Sequence, residues 1–561
     1  MIAAPLPEWK KRFSQTIVPE TFVEITMGVI DTEATANYKS VGFGNAVAGA
    51  NTMSIIGVNE NTNPSNFATL EENLWTLDGT KRIRFDMESL DTGYVGYPDT
   101  VNGGWYIDFN LLEVTTTTIP GFIIVWSSEY GEAPTSFAVT FKNTTTGKYS
   151  TLIFENGRIK TAVLQGLDWD MSKISLDNSV PHIYKVTGEF TGYDHVRIDF
   201  GLWNTPNHRP RLDRLVLGYT WVFTKKDLIS YTHDQTADLI CAELPKNSIT
   251  FSLDNTDDKW NPYNPEGMGK YIQDRQMLTV RYGLDVNSNG YIYWIPGGTF
   301  YLSEWYAPSN GMEATFTARD PFEFMMNTPY VGQPSGTLVE LVDKALECCD
   351  FPNKIKRYIN SIYRAHPVTI PTKNSEEGYS VAQIIQMCAS AMSGVCWFDR
   401  DGVLRIVRLP WAINKDQIYD IPQDIAYSHP EVTLNKPIKY TKISYNPTDG
   451  SPDSFTMDSQ LWKTGETQTI DNPLIQNYTM AISVANDTKF SLGYREKVTG
   501  DFRADPRLDV FDWVKVSGKY GDMDLVVTEI KYTYTGCFHG EYTARKAGIP
   551  ATMLEGEDTT G

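Results

Sequence analysis

Residues 337–349 read TLVELVDKALECC, and residues 380–409 read SVAQIIQMCASAMSGVCWFDRDGVLRIVRL. Thr337 opens a T-x-x-E pattern with Glu340, in which each side chain can serve the other's orphan backbone N–H at a helix start. Leu338, Leu341, Val342, Ala345, Leu346 and Cys349 follow at helical spacing, so the segment predicts an amphipathic helix of about three turns. Ser380 opens S-x-x-Q with Gln383 in the same way, and Val381, Ile384, Ile385, Cys388 and Met392 form the apolar stripe of a second helix. Gly394 is placed to end that helix in a left-handed conformation. The period then changes: VCWF (395–398), DRDG (399–402) and VLRIVRL (403–409) read as strand, turn and strand. Residues 329–424 therefore form a small α+β domain.

On both sides of this domain the pattern has period two, punctuated by Gly, Asn, Asp and Pro, which marks antiparallel β structure. Val196, Ile198, Phe200 and Leu202 alternate with Arg197 and Asp199. Ile249, Phe251 and Leu253 share one face of ITFSLDN, and Ala314, Phe316 and Ala318 share one face of EATFTARD. Short strands at close intervals, with turns such as NSNG (287–290), predict sandwiches or small barrels. Residues 58–225 are long enough for a sandwich of about eight strands. TFVEITMGV (21–29) stands alone before them, and one strand is not stable alone. It is expected to pair with strands after residue 240, which makes 58–225 an insertion.

At 561 residues the chain exceeds one hydrophobic core, and about three or four domains are expected. The apolar fraction of 41% can bury real cores, and no run of about 18 apolar residues offers a membrane span. MIAAPLPEWKKRF lacks the pattern of a signal peptide, so a protein made and kept in a cytoplasm is expected. The six cysteines match neither a disulfide framework nor paired zinc spacing and read as buried thiols. A formal charge of −20 argues against a protein that grips phosphate backbones.

Several separated segments carry a resemblance. LPKNSITFSLDNTDDKWNPYNPEGMGKYI (244–272), MLTVRYG (277–283), GGTFYLSEW (297–305) and FTARDPFEF (316–324) resemble the first β domain of phage tail hub proteins. GVCWFDRDGVLRI (394–406), with its helix, is similar to their middle domain. DNPLIQN (471–477), DFRADPRLDVFDWVKV (501–516) and VTEIKYTYTGCFHGEYTAR (527–545) resemble their last β domain. ATLEENLWTLDGT (68–80) is similar to N-terminal regions of some tail proteins of phages of Gram-positive hosts. The resemblance implies a mainly β fold in which two β-barrel-like domains flank an α+β domain. The strand pattern of the insertion reads as a galectin-like or carbohydrate-module-like sandwich. The implied boundaries are 1–57 for an N-terminal segment with the first hub strand, 58–225 for the insertion, 226–328 and 425–548 for the hub β domains, 329–424 for the α+β domain and 549–561 for a flexible tail. It further implies a homotrimer at the virion tail tip, assembled in the host cytoplasm. Its partners would be a distal tail or tube protein, the tape measure, and tail fibres or receptor-binding proteins. Two β domains per chain let three copies present a pseudo-sixfold ring.

The chemistry-bearing patterns are few. DVNSNG (285–290) matches the opening of a calcium loop, but Pro296 stands where a bidentate Glu is needed, so a hairpin turn is the stronger reading. Asp254, Asp257 and Asp258 read as a polar turn rather than a cation site. No nucleophile, zinc-protease or phosphate-loop motif occurs. The histidines (His182, His195, His208, His233, His366, His429, His539) are scattered singly. Cys388 and Cys396 are conceivable thiol nucleophiles in apolar contexts that favour burial. Trp105, Trp126, Trp169 and Tyr193 are candidates for stacking on a host cell-surface glycan, against a core reading. No catalytic, cofactor or metal residue is assigned, no cofactor is expected, and a structural component outranks a carbohydrate-binding receptor protein or a cell-wall hydrolase. Arg209, Arg211 and Arg214 form a small basic patch, but no tight nucleic-acid binding is expected.

Overall fold

The computed structural model describes residues 7–13, 20–30, 38–45, 85–86, 89–95, 105–116, 118–126, 133–167, 169–170, 173–178, 183–201, 211–264, 267–269, 272, 275–286, 292–308, 311–349, 351, 355–371, 378–409, 418–447, 451–519 and 521–548. The chain is mainly β, with several sheets and few helices. Two compact units divide it, one of residues 1–26, 222–270 and 274–561, the other of 27–221 with 271–273.

The second unit is built by the alternation seen in its sequence. His195–Phe200 buries every second residue, with Val196, Ile198 and Phe200 inside. It lies between Trp105–Leu111 and Ser136–Lys142 in an antiparallel six-stranded sheet. Strands Ile119–Trp126, Ile183–Phe190 and Arg211–Phe223 belong to a second layer. One core of Phe109, Phe122, Trp126, Phe137, Phe141, Phe154, Trp169 and Phe190 joins residues of both layers. Leu202, the segment 68–80 and Arg209 lie outside the described residues.

The first unit holds two runs of six hydrogen-bonded strands with one strand order, parts of one larger sheet. In the first, Leu228–Thr236 pairs with Lys246–Asp254, which pairs with Glu313–Arg319, then Tyr293–Tyr306, then Met277–Leu284. Thr21–Ile30 follows, and an ion pair between Glu24 and Arg281 pins it there. In the second, Glu431–Leu434 pairs with Glu496–Phe502, then Phe538–Arg545, Gly521–Tyr534, Trp513–Gly518 and finally Tyr419–Ile421. The registers superimpose. Ser248 faces Arg319 as Lys497 faces Arg545, and Tyr301 faces Arg319 as Val526 faces Arg545. Each 14-residue strand carries an irregularity at the same place, Ser303 between Leu302 and Glu304, and Thr528 between Val527 and Glu529; Tyr293–Tyr306 has a second, at Gly297, that the other strand lacks. The sequences then align as FYLSEWY with LVVTEIK and FTAR with YTAR. A bulge adds one residue and strengthens the local twist, so its repetition means that the two sheets bend at the same point.

Between the sheets in sequence lies the α+β layer. Both capping boxes form: Thr337 N–H donates to Glu340 Oε2 at 2.8 Å and Ser380 N–H to Gln383 Oε1 at 3.1 Å, with the return bonds in place. Helices Leu338–Glu347 and Val381–Ala391 bury Leu338, Leu341, Val342, Ile384, Ile385 and Cys388 in one core. Val395–Phe398 and Leu404–Val407 form the expected antiparallel pair, and Arg357–Asn360 adds a parallel third strand.

Three local expectations need correcting. The left-handed residue after the second helix is Ser393, with φ 55°, not Gly394. Gly394 instead lies close to the neighbouring strand, where a Cβ would sit a tight 3.3 Å from the Val407 carbonyl oxygen. Helices also occur outside 329–424. Pro7–Phe13 buries Trp9 and Phe13, and Tyr478–Leu492, capped by Asn477, packs Met480, Ala481, Val484 and Ala485 into the α+β core. That last helix also buries Ser483, Asp487, Thr488 and Ser491, so no clean apolar stripe marks it in the sequence. Finally, the cysteines are not uniformly buried: Cys241, Cys388 and Cys396 are, Cys348 and Cys349 are half-buried, and Cys537 is exposed.

Candidate assembly seam

Among the described residues, the two sheets of the first unit meet along a single strand pairing. Gly521–Tyr534 gives its first half to Trp513–Gly518 and its second half, Glu529–Tyr534, to Thr236–Tyr231 of the other sheet. The change of partner falls at the bulge, where the backbone turns from one neighbour to the next. At the same point the Ala237 N–H donates to the Thr528 carbonyl at 2.8 Å.

Beneath the seam lies a buried polar chain. His233 is fully buried, with Nε2 2.7 Å from Asn247 Oδ1 and Nδ1 2.7 Å from the Tyr282 hydroxyl. The amide oxygen can only accept, so Nε2 carries the proton and Nδ1 accepts from Tyr282. Tyr282 therefore accepts from Tyr231, at 2.7 Å. Burial holds His233 down to about 4, helped by the charge of Arg400 and opposed by the Asn247 bond and Asp509. Arg400, from the turn between the two α+β strands, reaches Asp509 at 3.1 Å. It also donates to the carbonyls of Pro296, Pro506 and Leu508 at 3.1, 2.5 and 2.7 Å. One guanidinium thus satisfies backbone of a strand of the first sheet and of the connection between Glu496–Phe502 and Trp513–Gly518 from the α+β layer, which a planar donor fork does well. The Tyr532 hydroxyl donates to the same Leu508 carbonyl at 2.6 Å.

A groove of about 440 Å³ runs over the seam, lined by Asp234, Glu431, Asp501, Glu529 and Glu541 with Lys531 among them. Asp234, Lys531 and Glu541 are cross-strand neighbours in succession. Partial burial raises the Asp234 carboxyl above its ordinary value, Lys531 opposing and Glu541 assisting.

The chemistry-bearing candidates are dispersed. Asp254 Oδ1 accepts from the Thr256 N–H at 3.0 Å and Asp257 Oδ1 from Lys259 at 3.4 Å, while Asp258 contacts Asn261. They hold a turn, and among the described residues no three acidic, His or Cys side chains gather in metal-binding geometry. Residues 287–290 of DVNSNG lie outside the described residues, but Leu284 and Tyr293, which flank it, are paired antiparallel. Cys388 and Cys396 sit in the α+β core, where burial pushes the Cys388 thiol up. The Cys396 thiol is raised by its contact with Cys241, 3.6 Å away, and by burial. Both are protonated and inert. His195 meets Asp108 at 3.0 Å, His366 Asn477 at 2.9 Å and His429 Gln423 at 3.1 Å, while His539 stacks on Tyr427. His182, His208 and the side chains of Trp105, Arg211 and Arg214 are outside the described residues. Trp126, Trp169 and Tyr193 are buried at 0, 6 and 0% exposure, so of the two readings the core one holds for these three: their rings make T-shaped contacts with Phe137, Phe141, Phe190 and Phe200. The sequence reading missed Arg400, although D-R-D-G places an arginine in a tight turn where a solvent-facing residue is usual.

No family model and no curated protein matches the sequence. Among solved structures the chain is similar to a tail protein from Neisseria meningitidis MC58 (11% identity, TM-score 0.39, 57% of this chain and 92% of that one). It is also similar to the 43 kDa tail protein of prophage MuSo2 from Shewanella oneidensis (12%, 0.41, 58% and 96%). A third is prophage tail protein gp18 from Listeria monocytogenes EGD-e (12%, 0.38, 60% and 94%). These neighbours are tail proteins, and they do not support a Gram-positive host in particular.

Proposed function

We propose that this chain is a structural hub of a phage tail tip or baseplate, three copies of which form a ring that closes or adapts the tail tube and later lets DNA pass. The observation that carries the reading is the duplication within one chain: two sheets of one strand order, with one bulge position, joined edge to edge. A ring of three such chains offers six equivalent sheets to a sixfold tube, which a chain with one such sheet achieves only as a hexamer. The buried seam, with its ion pair and hydroxyl chain, makes a fixed scaffold rather than a reaction centre. In this reading the partners are a distal tail or tube protein, the tape measure, and tail fibres or receptor-binding proteins. The site of action is the virion tail tip after assembly in the host cytoplasm, and residues 58–225 are an inserted sandwich. Mass measurement on isolated tail tips tests it. Three copies per particle are expected, whereas six would make the chain a distal ring component. A glycan array with the full chain tests the receptor alternative, for which no binding is expected.

A further inference from the structure

The duplication leaves each copy with an unused version of its own seam. Matching the registers of the two sheets puts Thr250 with Thr499 and hence Thr232, His233, Asp234 and Gln235 with Glu431, Val432, Thr433 and Leu434. The same matching puts Glu529, Ile530, Lys531 and Tyr532 with Glu304, Trp305, Tyr306 and Ala307. Within one chain the first set of the first sheet pairs with the second set of the second sheet. The complementary sets, Glu431–Leu434 and the last residues of Tyr293–Tyr306, have no strand on their outer edges among the described residues.

Exposure follows this division. His233 and Gln235 are buried at 0 and 4%, while their counterparts Val432 and Leu434 are 51 and 58% exposed. Ile530 is buried at 2%, whereas its counterpart Trp305 is half-buried; Tyr306, at the position of the half-buried Lys531, is 69% exposed. An edge strand with free backbone groups and bare apolar side chains is a template for another strand. Val432, Leu434 and Trp305 stand at positions that the internal seam covers, and Tyr306 stands where Lys531 lines the groove.

We propose that Glu431–Leu434 of one copy pairs antiparallel with the end of Tyr293–Tyr306 of a second copy, repeating between chains the seam made within one. Thr433 faces Tyr306, Leu434 faces Trp305, and Val432 faces Ala307. The Lys436 N–H donates to the Ser303 carbonyl, as Ala237 does to Thr528 in the internal seam. Pro308, which has no N–H to give, stands where Thr533 does in the internal seam and marks the end of the pairing. The two edges are different patches, so the contact is head to tail and each copy uses both. The number of copies rests on the hub reading; the contact itself does not.

The test is disulfide trapping in the full chain with Cys537→Ser as background. Thr433→Cys with Tyr306→Cys in one chain is expected to give covalent oligomers on a non-reducing gel that close at three copies. Either single variant alone should give none, and an equal mixture of the two should stop at dimers. Leu434→Glu, at an exposed position that leaves the fold intact, should weaken self-association by about tenfold or more in sedimentation. Trapping by a single variant alone would mean a two-fold contact and would overturn the proposal. Absence of trapping in the double variant would overturn it too, whether or not the protein associates. A ladder that passes three copies without closing would keep the contact and sink the trimeric hub. Three copies per tail tip without trapping would keep the hub and sink this contact.

Discussion

Arg400 couples three layers through one side chain. It is 5% exposed, pairs with Asp509 and donates to three backbone carbonyls. Arg400→Met should therefore cost about 3–5 kcal/mol, because it strands a largely buried carboxylate and its carbonyl neighbours. Urea unfolding measures this, and adding Asp509→Asn should recover part of the loss. His233 gives a pH signature. Its folded value of about 4 lies below the ordinary 6.5, so between those limits the unfolded chain binds the extra proton. Stability from the neutral ring is complete above about pH 6.5 and falls as pH drops toward 4, by about 3 kcal/mol in all. His233→Gln should flatten that part of the urea midpoint against pH; an unchanged slope would assign it to other groups.

At the scale of elements, what the sequence displayed most openly was chemistry between near neighbours. Both capping boxes connect residues three apart, so T-x-x-E and S-x-x-Q were sufficient to place two helix starts. Thr337→Ala and Ser380→Ala should each cost about 1 kcal/mol, read as a shift in urea midpoint at unchanged slope. Tyr478–Leu492 was illegible because it is buried on several sides and carries polar residues inward. Its Ser483 hydroxyl meets Ser393 at 3.1 Å and its Asp487 meets Arg408 at 2.7 Å. An apolar stripe forms only when one face is buried against many apolar neighbours. The alternation at 249–253 and 314–318 was legible for the opposite reason: each strand buries one face.

At the scale of the molecule, Thr21–Ile30 belongs with Met277–Leu284, and Glu24 bonds Arg281 across 257 positions of sequence. Replacing 58–225 with a short linker should accordingly leave a soluble, β-rich protein, checked by circular dichroism and hydrodynamic size. Insolubility of that variant together with failure of the 58–225 fragment to fold would show the boundaries misplaced. Charge gives a second expectation. Three copies at −20 each carry −60, and the groove over the seam holds five carboxylates to one ammonium. The purified protein should bind duplex DNA more weakly than the roughly 10⁻⁴ to 10⁻⁶ M of nonspecific binders at physiological salt. Anisotropy titration checks this, and salt-sensitive micromolar binding would direct attention to Arg209, Arg211 and Arg214.

By itself the sequence determined the mainly β class, the α+β segment, two helix starts and the faces of many strands, because each depends on the spacing of residues within one element. Only the tertiary structure decided which strands are neighbours. The likeness of FTAR to YTAR is four residues long, and it acquires meaning when both segments hold the same place in two sheets with the same bulge. The fate of the aromatic residues was decided in the same way. Alternation puts Trp126 on one face of its strand, but whether that face meets a sugar or Phe137 and Phe200 depends on a second layer more than ten positions away in sequence. Local periodicity fixes orientation within a strand, while partner choice is a long-range packing outcome that no window of sequence contains.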